Sequence, residues 1–164
     1  MIIHDLPQEE ARRVLAGISD PSIISDNHTI HNCIGCFGCW IKTPGRCVIK
    51  DGYENMGELL GKTNELIVVS KCCYGGFSPF VKNVFDRSIS YIHPYFKIRN
   101  KEMHHKRRYD NIIQIRAFLY EEDITQLEKD TAAKYLEAVS INLDCKLKEL
   151  RFLTKKELME GGLC

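Results

Sequence analysis

The chain has 164 residues, 44% of them hydrophobic and 27% charged, with a formal net charge of +1. That length suits a single domain over 1–164 with a proper core. The near-zero charge gives no bulk attraction to nucleic acid or a membrane surface, and no apolar run reaches spanning length.

"MIIHDLPQEE" opens the chain as a short strand, "MIIHDL", that turns acidic within a few residues. This is unlike a secretory signal and points to the cytoplasm, where eight cysteines read as thiols or ligands rather than structural disulfides. Pro7 to Ala16 follows as a helix, with proline near its start, glutamates in its first turn and Gly17 at its end. "SIIS" (22–25) reads as an edge strand. Asp51 and Glu54 form an acidic capping pair ahead of Tyr53, Met56, Leu59 and Leu60, and Gly61 closes that helix. "NELIVVS" (64–70) is a short unbroken apolar run, the pattern of a strand covered on both faces.

Ser78-Pro79 reads as an N-cap followed by proline at the first helical position, with Val81, Val84, Phe85, Ser88 and Ile92 on one face. The stretch 91–110, "YIHPYFKIRNKEMHHKRRYD", is irregular and too long for a plain connector. "NIIQIRAFL" (111–119) is a second interior strand. Thr125 and Glu128 make a capping box, and Ile124, Leu127, Thr131, Tyr135 and Val139 give the long helix behind it a buried stripe. "CKLKELRFL" (145–153) ends the series at a sheet edge. Strands therefore alternate with helices, which predicts an α/β domain with a parallel sheet and right-handed crossovers. Ligands bind such folds at the carboxyl ends of the strands, beside the point where strand order reverses.

The loop after the central strand, "KCCYGGF" (71–77), sits at that place. Gly75 and Gly76 permit close backbone approach, and Tyr74 offers a flat aromatic face. Upstream, "NCIGCFGCWIKTPGRCVIKD" (32–51) carries Cys33, Cys36, Cys39 and Cys47. The compartment disfavours a disulfide set. Three close cysteines plus a fourth match zinc spacing only loosely. Compact runs with two-residue spacers suit iron–sulfur ligation. Thiols packed in a tight turn, with Gly35, Gly38, Pro44 and Gly45, are the simpler reading. The run is expected at the ligand-binding end of the sheet. Cys72 and Cys73 are further redox candidates if exposed. His104 and His105 are adjacent and point apart on regular backbone, which favours surface or hydrogen-bonding roles over a metal pair.

"YGGFSPFVKNVFDRSI" (74–89) resembles the Y-x-G…K-x-x-x-D-R signature of the flavodoxin-like NAD(P)H-dependent FMN reductases. "CIGCFGCWIKTPGRCVIKDGYENM" (33–56) is similar to the cysteine segment of many members and to the ligand run of the iron–sulfur flavoprotein branch. "YEEDITQLEKDTAAKYLEAVSINL" (120–143) is similar to their last long helix. The resemblance covers most of 30–153. It implies a flavodoxin-like three-layer sandwich with a parallel five-stranded sheet in the order 2-1-3-4-5. It implies FMN as prosthetic group, NADPH or NADH as donor, a small-molecule electron acceptor, and dimers or tetramers. Lys71, Cys72, Cys73, Tyr74, Gly75 and Gly76 would line the flavin ring. Lys82, Asp86 and Arg87 would be structural. Cys33, Cys36, Cys39 and Cys47 would be the ligands of an iron–sulfur cluster, if there is one.

Two loops depart from the family pattern. "HDLPQEEARR" stands where a Ser/Gly/Asn-rich loop would hold the FMN phosphate, and its glutamates compete with phosphate for the positive end of the helix. "YEED" (120–123), the third flavin loop, is acidic and lacks glycine. The basic residues Lys97, Arg99, Lys101, Lys106, Arg107 and Arg108, with Tyr91, Tyr95 and Phe96 nearby, could hold a phosphate or be solvated. Segment 91–110 is also the expected contact surface of a homodimer or larger assembly.

Overall fold

Five parallel strands form the central sheet: β1 (Ile2–His4), β2 (Ile23–Ser25), β3 (Glu65–Lys71), β6 (Gln114–Tyr120) and β7 (Lys146–Leu153). Two further strands, β4 (Ile92–Arg99) and β5 (Glu102–Arg107), pair antiparallel as a separate hairpin. The sheet order is β2-β1-β3-β6-β7. The expected 2-1-3-4-5 is this order with the hairpin strands left uncounted. The computed structural model describes residues 1–18, 22–161 and 163.

Alternation along β3 explains the layers. Leu66 and Val68 face one apolar cluster and Ile67 and Val69 the other, and all four are buried. The first cluster takes in Met56 and Leu60 of α3 (Met56–Gly61), Val81 and Val84 of α4 (Pro79–Arg87), and Ala132 and Leu136 of α5 (Gln126–Leu143). The second takes in Ala11 of α1 (Gln8–Val14) and Leu158 of α6 (Lys155–Met159). A short helix, α2 (Gly38–Ile41), lies inside the cysteine segment. Among the described residues no helix is long and apolar enough to cross a membrane.

Caps written in the sequence form as expected at two helices. Ser78 accepts from the Val81 N–H with Pro79 in the first turn, and Thr125 and Glu128 close a full capping box. Three expectations change. Asp51 and Glu54 do not cap α3, which begins after Asn55 without a side-chain cap, because both carboxylates are engaged elsewhere. Ile92 is not on α4: the helix ends at Arg87, and Ile92 starts β4. The fully buried stripe of α5 is Ala132, Leu136, Ser140 and Leu143, one position on from the expected one. Leu127 is 76% exposed, while Tyr135 and Val139 are half-buried beside the core.

Candidate functional site

The chain leaves β3 into a tight turn. Cys73 and Gly76 exchange backbone hydrogen bonds at 2.9 and 2.8 Å, with Tyr74 at φ +53° and Gly75 at φ +78° between them. Two consecutive positive φ angles define a mirror-image hairpin turn, which only glycine occupies without strain. Tyr74, in the strained first position, is 91% exposed, so its ring stands clear at the carboxyl end of the central strand. Gly75 does not serve ligand approach. A Cβ there would lie 2.7 Å from the Glu128 carbonyl oxygen and 2.7 Å from the Thr131 side chain, so the close approach is that of α5. Gly76 is the open one, meeting only the Cys73 carbonyl at 3.4 Å. Burial pushes the thiols of both Cys72 and Cys73 up, away from the reactive thiolate form.

The two neighbouring loops are tied to this turn by side chains. β1 joins α1 through only Asp5, Leu6 and Pro7. One Asp5 oxygen accepts the Lys71 N–H at 2.9 Å and the other accepts the Tyr120 hydroxyl at 3.0 Å. The Lys71 ammonium pairs with Glu121 at 2.9 Å. Burial, with the Asp5 charge adding to it, pushes the Tyr120 phenol up, so it stays a donor. A carboxylate thus occupies the crevice between the ends of β1 and β3, where a flavin phosphate would need donors. Glu9 and Glu10 in the first turn of α1 are paired with Arg12 and Lys155, at 3.4 and 2.8 Å. His4 is buried, and its Nδ1 accepts the Leu6 N–H at 3.2 Å; burial lowers its pKa and keeps the ring neutral.

The cysteine segment is organised by Arg87. Its guanidinium is fully buried and donates to both oxygens of Asp51 at 2.7 and 2.9 Å, and to the carbonyls of His31 at 2.7 Å and Ile49 at 3.2 Å. One buried side chain on α4 therefore holds both ends of the loop. Asp51 also accepts the N–H groups of His31 and Tyr53. Against the upward push of burial, Arg87 and these donors hold the Asp51 carboxyl far below the usual range. Glu54 accepts from Gly52 N–H and Arg46.

Cys33, Cys36, Cys39 and Cys47 all line one cavity of about 600 Å³. Its other walls are Trp40, Phe85 and Ile89 and the second half of α5, at Tyr135, Val139 and Leu143. The run therefore lies over the outer side of α4 and α5, not at the ligand-binding end of the sheet as expected. Among the described residues no group of three or more His, Cys, Asp or Glu could hold a metal ion. The four thiols share one cavity and form no such group.

The basic stretch forms the β4–β5 hairpin, and its cations are partly paired within the chain. Lys97, Arg99 and Arg107 all pair with Asp144, the left-handed residue that ends α5. Arg108 donates to the Ser90 carbonyl at 2.8 Å. Lys101 and Lys106 are exposed. His104 pairs with Glu102, whereas His105 bonds the His93 carbonyl and lies between the Trp40 and Phe96 rings. The adjacent histidines do point apart. Sequence reasoning missed Asp5, Tyr120 and the Arg87–Asp51 pair as organisers; the one available signal was Arg87 in the motif, which marked a structural residue.

No protein-family model and no curated protein matches the chain. Solved structures share its fold, among them the two that follow. The Trp repressor binding protein from Bacillus subtilis superposes with a TM-score of 0.53 at 11% identity, over 99% of this chain and 90% of that one. An FMN-dependent NADH-azoreductase from Bacillus anthracis str. Ames Ancestor, in complex with FMN, gives 0.54 at 13% identity, over 97% and 94%. At such identities the likeness is one of fold: an α/β domain on a five-stranded parallel sheet of the flavodoxin-like kind.

Proposed function

We propose that this protein is a flavodoxin-like oxidoreductase that passes electrons from NADH or NADPH through bound FMN to a small-molecule acceptor. The observation that carries the reading is the 73–76 turn. It offers an exposed Tyr74 ring and an open Gly76 backbone at the carboxyl end of the central strand, beside the switch in strand order. A neighbour of the same fold that binds FMN supports it. FMN would supply the hydride chemistry, and Lys71, Cys73, Tyr74 and Gly76 would seat and orient its ring, while Gly75 packs on α5 and Cys72 faces the core. The residues fit the ring end of FMN and not its phosphate end, where Asp5 already takes the donors.

Titrating the full chain with FMN and with riboflavin, followed by flavin fluorescence, tests this. Both should be quenched at similar concentrations, because the phosphate finds no anion seat. No quenching by either up to millimolar flavin would overturn the reading. It would leave a flavodoxin-like protein that binds no flavin, the alternative favoured by the Asp5 contacts.

The same reading takes a second copy of the chain against the hairpin, where Tyr95, Phe96, Ile98 and Met103 are exposed on a two-stranded ribbon outside the main sheet. A net charge of +1 sets little repulsion between copies. Light scattering should give a dimer or larger; monomer alone at tens of micromolar would refute this.

A further inference from the structure

The cysteine segment has the features of a thiol-exchange site. The Gly45 N–H donates to the Cys39 carbonyl at 3.0 Å, which turns the chain back on itself. Gly38 sits against the Val48 side chain so closely that a Cβ there would lie 2.6 Å from Val48 Cγ1. Residues 38–39 and 47–48 are thus brought side by side. Cys39 is buried, and its thiol is pushed up first by that burial and next by Cys47, ahead of Cys33 and Cys36. Cys36 already accepts the Gly38 N–H at 3.4 Å, while Cys33 is exposed. Cys47 is half-buried and opens on the cavity.

Beside Cys47 lies an unusual donor. The Arg87 side chain is fully buried; its Nε–H meets no oxygen or nitrogen acceptor, and besides Asp51 the side chain that interacts with the guanidinium is the Cys47 thiol. Burial works against the Arg87 charge; Asp51 and Cys47 together more than offset it. A buried cationic N–H that meets no oxygen or nitrogen acceptor is stabilised further when a sulfur beside it becomes an anion. A sulfur developing negative charge at Cys47 would supply that anion.

We propose that Cys39 and Cys47 form a reversible dithiol–disulfide pair, a redox modification site in which Cys47, beside the buried Arg87 guanidinium, is the sulfur that attacks a low-molecular-weight disulfide. In the first step Cys47 gives its proton to solvent and its sulfur bonds to one sulfur of the small disulfide, RSSR. The S–S bond breaks and RS⁻ leaves, taking up a proton. In the second step Cys39 loses its proton and attacks the Cys47 sulfur of the mixed disulfide, and a second RS⁻ leaves and is protonated. Two protein thiols give up two electrons and two protons, and RSSR becomes two RSH. The cavity is the entry path for the small disulfide. The site does not depend on flavin binding.

The test exposes the reduced full chain to oxidised glutathione, counts free thiols, and maps cross-links by mass spectrometry of peptides. The chain should lose two of its eight thiols and carry a Cys39–Cys47 cross-link. The double variant Cys33→Ser/Cys36→Ser should form it unchanged, and Cys47→Ser should lose it. Arg87→Lys, checked for folding by circular dichroism, should form the link several-fold more slowly. Four results would overturn the proposal: no cross-link up to millimolar oxidised glutathione, a cross-link at Cys33–Cys36 or elsewhere, an Arg87→Lys rate equal to wild type, or uptake of one zinc ion by the reduced chain that Cys47→Ser abolishes.

Discussion

Two loops of this molecule are each tied by one aspartate, and the ties differ in kind. Asp51 fastens the cysteine segment through a charged partner, with side-chain exposures of 2% for Asp51 and 0% for Arg87. Asp5 fastens the ends of β1, β3 and β6 through neutral partners, the Lys71 N–H and the Tyr120 hydroxyl, and remains half-exposed. The buried pair cannot lose one member without stranding the other charge, so it is a structural clamp. The half-exposed carboxylate can be lost at modest cost, and it stands where a ligand's own negative charge would come. Depth of burial separates a residue that holds the fold from one that shapes what the fold can bind.

The most damaging way to probe that contrast is Arg87→Ala. It should cost about 3–5 kcal/mol in urea denaturation, since Asp51 is left buried and unpaired. The Asp51 contribution also has a pH signature. Its folded pKa is lowered, so the stability it gives is complete above the ordinary aspartate range near about pH 4 and is lost as pH falls through the lowered value. Asp51→Asn should therefore flatten the acid limb of the stability profile. A loss under about 1 kcal/mol for Arg87→Ala would mean that the pair is worth no more than a surface one.

Next in size is Gly75→Val, at the turn beside Asp5. A β-branched residue at φ +78° must also push against α5 at Glu128 and Thr131. The expected cost is about 2–4 kcal/mol. If thermal stability holds and only flavin affinity drops, Gly75 faces a ligand and not the helix.

Asp5→Asn should be gentler, about 1 kcal/mol, the scale of one net hydrogen bond. Its sharper readout is the ratio of FMN to riboflavin affinity. Removing the carboxylate should raise that ratio several-fold; an unchanged ratio would show that the Asp5 charge does not set what the crevice binds. Smallest of all is Lys82→Ala, which breaks an exposed pair with Asp86 one residue before Arg87. It should shift stability by about 0.3–0.5 kcal/mol. A larger loss would place the clamp's strength in α4 as a whole and not in the buried guanidinium.

The elements that could be read from the chain are those whose signals are local. "NELIVVS" is an unbroken apolar run because β3 is covered on both faces. Ser78-Pro79 and Thr125-x-x-Glu128 are caps whose partners lie three residues on. The hairpin escaped because its apolar residues Tyr95, Ile98 and Met103 point to solvent, so no core imposes a period on them. The α5 stripe came out one position off because Tyr135 and Val139 also line the cavity beneath the cysteine segment. Asp51 read as a cap because Glu54 stands at cap spacing, while its actual partner is 36 residues away.

By itself, then, the sequence determined the class of the fold, the buried strands, two helix starts and the turn after β3, since periodicity and capping act over a few residues. Only the tertiary structure decided that Asp51 meets Arg87, that Asp5 fills the switch-point crevice and that Gly75 faces α5. Those pairings join segments far apart in the chain, and their strength comes from the exclusion of water that the assembled layers alone create.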